Sequence, residues 1–503
     1  MTNIIPYNES YFPQYAALYH KTWLAEPYGE LFTDDEIEQH LPKSFEYLFL
    51  CINAENNQVI AFAGGRPLQE CDFFENKTGL DIHACFYFNE LGVDENYRQL
   101  GLGEKMSNYL TNQALKNGFT GILLRTGHHN DNPAIKFYQK LGFKLLQLSD
   151  GSIYGINTRQ NRIDNRPDTD FRPYYYRQYP SLQQLQETFS YIKTQSYNGA
   201  PSVLKFDTGK EGPVLGITMC THGDEPAGLA VLWNFMHENL QGKLLCGAVI
   251  FVLQNIAATE QYFSMLDSEE RNKYRYTEGG VNFNRLPEHS LEIENSPVYE
   301  INRLQQLYPV YKEFKYGYDI HTSEDEEPMI ITGNQFYPEL VKGFPIEKVL
   351  TNIAEAQINL PSFSFFGGLN SNIPVFEIEA GTDESPASFK MAIDCSLALL
   401  RNLNMLEGNN RSLVTQYQEY FIFDKLVLPN DSFELVKTFD YYENITKDQP
   451  LAKGIINGEE RIITAAENGH AIFPPLGKLK RDYFSLTEET FFISKPVQTI
   501  VPE

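Results

Sequence analysis

Apolar and polar positions alternate over Tyr87-Phe88-Asn89-Glu90-Leu91-Gly92-Val93, the period of a strand. Past the stretch Asp94 to Gly103 the period lengthens, and Met106, Leu110 and Leu115 predict a helix. Gly121 to Thr126 reads as another strand, followed by the segment Asn132 to Phe143. Further along, Pro213 to Met219 predicts a strand. Leu229, Leu232 and Met236 predict the helix after it, with Pro226 at its first position, where proline is well tolerated. Tyr316 to Ile320 predicts one more strand, and Glu377 to Gly381 ends another. Strands alternating with helices up to about Leu406 predict an α/β sheet domain. From Gln416 onward short β-rich pieces dominate, among them Tyr420-Phe421-Ile422-Phe423, Ile462-Ile463-Thr464 and Phe491-Phe492-Ile493. Residues 156–182, with several prolines and the patch Tyr174-Tyr175-Tyr176, show little periodicity and read as a linker. The expected organisation is therefore α/β multidomain: 1–155, a linker at 156–182, a central sheet domain at 183–408, and a small C-terminal β domain at 409–503.

The chemistry lies in four stretches: Thr221-His222-Gly223-Asp224-Glu225-Pro226, Asn282-Phe283-Asn284-Arg285, Asp319-Ile320-His321-Thr322 and Glu377-Ile378-Glu379-Ala380-Gly381. In order they supply two metal ligands three residues apart, a polar pair suited to an anion, a third ligand and a carboxylate base. A catalytic zinc takes three protein ligands of the His/Asp/Glu set and keeps one position open for water. His222 and Glu225 fall at a strand-to-helix turn, and His321 follows a strand, which is where open α/β sheets bind ligands. Glu377 and Glu379 face the same way on a strand, so spacing alone leaves both as candidates for the base.

This region resembles the succinylglutamate desuccinylase/aspartoacylase family, a branch of the zinc carboxypeptidase superfamily that cleaves N-acyl amino acids. Its motifs match His222-Gly223-Asp224-Glu225, Asn282-Phe283-Asn284-Arg285, Asp319-Ile320-His321 and Glu379-Ala380-Gly381, over roughly residues 170–503. The resemblance implies a zinc-carboxypeptidase-like α/β/α fold and Zn2+ held by His222, Glu225 and His321. It also implies Glu379 as general base, Asn284 and Arg285 gripping the substrate carboxylate, and a C-terminal β module that shapes the pocket. Asn282 departs from the family's usual Asp. The glycine at 381 favours Glu379 over Glu377 as the base. A peptide-trimming zinc carboxypeptidase uses the same ligands and stands as the alternative.

The strand-to-helix turn Arg98-Gln99-Leu100-Gly101-Leu102-Gly103 carries two glycines, which lets backbone N–H groups approach a pyrophosphate at a helix N-terminus. With Ala134 to Tyr138 and Leu141-Gly142-Phe143, it resembles the GNAT family of N-acetyltransferases over about residues 1–155. The resemblance implies the GNAT α/β fold and an acetyl-CoA cleft at Val93, Arg98, Gln99, Gly101, Leu102, Gly103 and Glu104. It further implies that Tyr138 protonates the departing CoA thiolate. Read from its neighbours alone, Tyr138 is equally a core aromatic beside Phe137 and Phe143. Glu90, on the strand before the turn, is either a solvated charge or a group that draws the proton from the acceptor ammonium through water. A degenerate domain that only senses acetyl-CoA, as a regulatory module, is the alternative for this half.

Composition narrows the partners. At 503 residues the chain fits two or three domains. A net charge of −25 opposes nucleic acid and anionic membranes, and the two resemblances imply small-molecule N-acyl amino acid or amine substrates. No apolar run reaches membrane-spanning length, and six cysteines with no Cys-x-x-Cys pair fit reduced thiols in the cytoplasm. A sizeable bilobal acidic enzyme often pairs into a homo-oligomer. The run Glu324-Asp325-Glu326-Glu327 reads as a solvated loop.

Overall fold

The alternation around Tyr87 belongs to a longer strand in the first of two units, Met1–Tyr179 and Pro180–Glu503, of a computed structural model. It describes residues 2–24, 31–40, 47–127, 132–157, 171–266, 274–286, 289–323, 327–332, 335–353, 373–410, 413–414, 416–430, 432–474 and 490–500. In the first unit the strands are β1 (Thr2–Pro6), β2 (Leu48–Asn53), β3 (Gln58–Pro67), β4 (Cys85–Val93), β5 (Gly121–Arg125), β6 (Lys144–Leu145), β7 (Gly155–Asn157) and β8 (Phe171–Gln178). They form one sheet in the order β1-β2-β3-β4-β5-β8-β6, with β7 on β8. The helices are α1 (Phe12–Leu24), α2 (Asp34–His40), α3 (Leu102–Lys116) and α4 (Pro133–Lys140). Met106, Leu110 and Leu115 are all buried beneath α3, as a 3.6-residue period requires.

Two features of this sheet matter for chemistry. Asn89 is a bulge, because Gly64 faces Glu90 while Gly65 faces Phe88. The parallel ladder of β4 and β5 runs only through Cys85–Gly121, Phe86–Ile122 and Tyr87–Leu123.

The expected linker is corrected in part. Phe171–Gln178 is a strand inside the sheet, antiparallel to β5, with Tyr174 and Tyr175 buried. Aromatic residues favour a half-buried pleated surface, and this preference outweighs the prolines nearby. The remainder of that segment, 158–170, lies outside the described residues, as do 324–326 of the acidic run.

The second unit opens with α5 (Leu182–Lys193) and the hairpin β9 (Ser196–Tyr197) and β10 (Ala200–Pro201). Then come β11 (Val203–Asp207), β12 (Val214–Met219), α6 (Ala227–His237), β13 (Ala248–Leu253), α7 (Ile256–Ser264), α8 (Tyr299–Tyr311), β14 (Tyr316–Ser323), β15 (Met329–Thr332), β16 (Lys348–Thr351), β17 (Val375–Thr382) and α9 (Pro386–Asn402). Pro226 caps α6 rather than opening it, and β14 continues through His321 instead of ending before it. The last strands are β18 (Tyr417–Leu426), β19 (Glu434–Leu435), β20 (Asn444–Ile445), β21 (Pro450–Ile456), β22 (Glu459–Thr464), β23 (Gly469–Ile472) and β24 (Phe491–Ile500).

The main sheet runs β11-β13-β12-β14-β17-β15-β16-β18-β24-β23-β20. β12, β14 and β17 are parallel neighbours at its centre and are buried, which suits their near-continuous apolar runs. The C-terminal region therefore differs from the separate domain expected after residue 408. β18 pairs in parallel with β16 and extends the central sheet, while β19, β21 and β22 form a small sheet of their own. Tyr420, Ile422 and Phe492 pack into the same core as Ile250, Val252 and Leu350.

Candidate functional site

Register brings the metal-ligand candidates together. β12 ends at Met219, and the chain turns through Cys220 at φ +52° to deliver His222 and Glu225 above the carboxyl end of the sheet. Gly223 is required here by close approach, since a Cβ would lie 2.3 Å from the Tyr274 carbonyl oxygen. Its N–H donates to the Arg275 carbonyl at 2.9 Å. The adjoining strands place Asp319 opposite Glu377 and His321 opposite Glu379.

His222 Nδ1 lies 2.7 Å from Glu225 Oε1, and His321 Nδ1 lies 2.7 Å from Glu225 Oε2. All three side chains are buried, and their ligand atoms lie within 4.8 Å of one another. The outer nitrogens face oxygens: His222 Nε2 is 3.1 Å from Asn282 Oδ1, and His321 Nε2 is 3.3 Å from Asp319 Oδ2. In His222 the Asn282 acceptor on Nε2 keeps the proton there and turns the Nδ1 lone pair toward the shared centre, the arrangement that ligating histidines adopt, while His321 Nε2 faces the Asp319 carboxylate without a hydrogen bond among the described residues. The donor set thus fits a divalent cation such as zinc.

Burial and neighbouring charge act on the two histidines in opposite senses. Burial works against ionisation of Glu225, but His222, Arg275 and His321 together hold its carboxyl well below the usual range. Burial, aided by Arg275, pushes the His222 imidazole down to about 4. Burial also opposes charge on His321, yet Asp319 and Glu225 override it and hold the imidazole well above its ordinary value. Glu379 is driven well above the carboxylate range, first by burial and then by Glu225 and Glu377. Glu377 is pushed up to about 8, again chiefly by burial. The Oε2 atoms of both are buried with no hydrogen-bond partner among the described residues. A crowd of buried carboxyls with so little compensating charge is itself a request for a cation.

Asn284 and Arg285 occupy a 3-10 turn, Phe283–Arg285, capped by the Asn282 side chain. Asn284 is buried, Arg285 is half-buried, and the Arg285 charge acts on Glu377. Asn282 does more than cap. Its Oδ1 accepts from Asn284 N and faces His222, while its Nδ2 donates to the Tyr276 hydroxyl at 3.1 Å.

Arg275 belongs to none of the four sequence stretches. Its Nη1 lies 2.6 Å from Glu225 Oε1 and 3.6 Å from Asp224 Oδ1. The sequence offered no regular spacing to find it by, since its place comes from the clamp of Tyr274–Tyr276 on Gly223. Cys220, two residues before His222, is fully buried, and burial pushes its thiol far up, as for an inert small side chain.

In the first unit the turn after β4 presents an open helix N-terminus. Gln99 and Gly101 adopt φ +65° and +83°, and α3 starts at Leu102 with no side-chain cap. Its first amides are thereby left for an anion. A Cβ on Gly103 would lie 3.6 Å from Phe137 and 3.8 Å from Val93 Cγ2, ordinary contact. Arg98 donates Nε–H to the Val93 carbonyl at 3.2 Å. Glu104 pairs with Lys140 across α3 and α4 at 2.9 Å. Tyr138 is half-buried, its ring centroid 5.2–6.3 Å from those of Phe88, Phe137 and Phe143. Glu90 is buried, accepts the Tyr15 hydroxyl at 2.6 Å, and keeps Oε2 without a hydrogen-bond partner among the described residues. Burial pushes its carboxyl up to about 7.

Comparison with known proteins covers both units. Residues 10–143 match the acetyltransferase (GNAT) family, and residues 211–342 match the succinylglutamate desuccinylase/aspartoacylase catalytic domain. A stretch of 62 residues is 42% identical to N-alpha-acetyltransferase 50 of Danio rerio, covering 12% of this chain and 36% of that protein. The chain thus spans about a third of the length of that curated relative. Among solved structures, the succinylglutamate desuccinylase of Vibrio parahaemolyticus is 14% identical, with a TM-score of 0.45 over 63% of this chain and 95% of that one. The enzyme of Chromobacterium violaceum is 17% identical, with a TM-score of 0.42 over 63% and 98%. The chain joins an N-terminal domain of the acetyltransferase (GNAT) family to a catalytic domain of the succinylglutamate desuccinylase/aspartoacylase family.

Proposed function

We propose that the protein is a bifunctional enzyme, an acetyl-CoA-dependent N-acetyltransferase joined to a zinc-dependent hydrolase of N-acyl amino acids. The observation that carries the hydrolase is the convergence of His222 Nδ1, His321 Nδ1 and both Glu225 oxygens, with each outer histidine nitrogen facing an oxygen. When bound, zinc supplies a Lewis acid that polarises the acyl carbonyl and acidifies water. Glu379 takes the proton from the attacking water and returns it to the leaving nitrogen. Arg275 adds a fixed positive charge beside Glu225, and Arg285 offers a planar fork to the substrate carboxylate.

In the other half, the open amides of Leu102, Gly103 and Glu104 receive the pyrophosphate of acetyl-CoA. Glu90 accepts the proton of the acceptor ammonium. Tyr138 is the donor to the departing thiolate.

The test is amine release by the zinc-loaded protein from N-acetyl, N-succinyl and N-aminoacyl amino acids, alongside peptides with free C-termini. Glu379→Ala is expected to lower release by roughly 10²- to 10⁴-fold, the usual contribution of a general base. Faster cleavage of the peptides would turn the reading to a carboxypeptidase, and release that survives in Glu379→Ala would remove that residue from the mechanism.

A further inference from the structure

The sheet of the first unit carries positive charge that acetyl transfer as described does not use. The bulge at Asn89 sets Glu90 opposite Gly64 and Tyr87 opposite Arg66, bringing Glu90, Tyr87 and Arg66 to one face. Leu123 pairs with Tyr87, so alternation carries Arg125, two residues on, to that same face. The side chains agree with the register. The Arg125 guanidinium lies 4.5 Å from the Phe73 ring centroid and 6.0 Å from that of Tyr87. Burial pushes the nearby Cys71 thiol up to about 12, and Arg66 and Arg125 each oppose that push more than Glu70 or Asp72 reinforces it.

Arg125 is half-buried and has no carboxylate within ion-pair distance among the described residues. It stands at the end of β5, and Glu90 stands on β4 past the last pair joining those two strands. A guanidinium seated near aromatic rings and partly withdrawn from water binds a planar anion well, because little of its hydration has to be removed. On the same face, Glu90 offers a buried oxygen with no hydrogen-bond partner among the described residues.

We propose that the acetyl acceptor is a small amine bearing a free carboxylate, an amino acid in the broad sense, with its carboxylate on Arg125 and its nitrogen at Glu90. This rests on the acetyl-transfer reading above. The ammonium loses one proton to Glu90, and the freed lone pair forms the C–N bond at the thioester carbonyl. The C–S bond then breaks, and the thiolate takes up a proton. The acceptor would share the chemical class of the amine that the hydrolytic half releases.

The experiment measures CoA release by the full-length protein from acetyl-CoA with amino acids, the matching carboxamides, and a peptide with a free N-terminus and amidated C-terminus. The expected result is a kcat/KM for carboxylates roughly 10- to 100-fold above that for carboxamides, the scale of one charged hydrogen-bonded pair. In Arg125→Gln that ratio collapses toward one, mainly through KM. Arg125→Lys, which keeps the charge and loses the fork, recovers part of it. A wild-type ratio near one, preference for the peptide, or an unchanged ratio in Arg125→Gln overturns the proposal. Calorimetric binding of the same amino acids separates the two readings if no CoA is released. Binding that Arg125→Gln abolishes and a carboxamide lacks keeps the carboxylate site and removes the transferase; no such binding removes the site as well.

Discussion

Glu90 accepts from Tyr15, its other oxygen has no hydrogen-bond partner among the described residues, and burial disfavours its ionised form in the folded chain. Its carboxyl is raised from an ordinary 4.5 to about 7. Below pH 4.5 it is protonated in both folded and unfolded states and costs nothing. Between 4.5 and 7 the folded state holds a proton that the unfolded state has released, so stability falls as pH rises, by about 3 kcal/mol in all. Glu90→Gln is expected to flatten that slope in denaturant titrations of the first unit, and to abolish a rise in acetyl transfer through about pH 7. A slope that persists in the variant would place the titrating group elsewhere. Asn282 is the corresponding residue of the other half. Its amide oxygen holds His222 Nε2–H while Tyr276 and Asn284 fix the amide plane. Removing such an outer partner usually costs 10- to 100-fold in metal affinity. Asn282→Ala is therefore expected to lose zinc about 10- to 100-fold more readily to a competing chelator, and Asn282→Asp to retain it at least as well as the parent. Equal retention in Asn282→Ala would reduce the contact to a helix cap.

At the scale of elements, both sites are strand ends followed by turns, and that much was legible in the sequence. Tyr87–Val93, Met106-Leu110-Leu115 and Pro213–Met219 announced their strands and helix through period alone, because each has one face against a core. The candidate ligands His222 and Glu225 stand three residues apart at a strand-to-helix turn and His321 follows Asp319 on a strand, and the structure brings these three side chains together. What escaped depends on distant pairing. Phe171–Gln178 became a strand only because β5 and β6 lie beside it, and β18 joins the central sheet only because β16 offers an edge. Arg275 reaches Glu225 through the Gly223 contact, which no spacing encodes. The turn before α3 allows a clean test, since Gly101 sits at φ +83° with nothing within 4 Å of where a Cβ would be. Gly101→Ala then meets no clash and pays only for the left-handed backbone, about 1–2 kcal/mol. Thermal denaturation should show that loss, and acetyl-CoA binding should weaken with it as the helix end shifts. Unchanged cofactor binding at reduced stability would separate the turn from the pyrophosphate.

On the scale of the whole molecule, the proposed reading gives one chain a site that makes an N-acyl bond and another that breaks one. Each is built within its own unit: Glu90, Gln99 to Glu104 and Tyr138 in residues 1–179, and His222, Glu225, Arg275, His321 and Glu379 in residues 180–503. If both acted on the same amide, each cycle would consume a thioester and return the starting amine. An enzyme of that kind would gain nothing from the Arg125 and Arg285 forks proposed to hold its substrates. On the proposed reading the two reactions differ in the acyl group or in the nitrogen, while sharing an amine of one class. The prediction follows from this. The acetylated product of the first site, isolated and returned to the zinc-loaded protein, should release amine no faster than it does in the presence of a chelator. N-acyl amino acids with a different acyl group should be cleaved by the loaded protein and spared in chelator. Glu379→Ala should leave acetylation intact, and Glu90→Gln should leave cleavage intact. Chelator-sensitive hydrolysis of the enzyme's own product would show that the two sites oppose each other on one bond, and the fusion would then need a switch between them rather than a division of substrates.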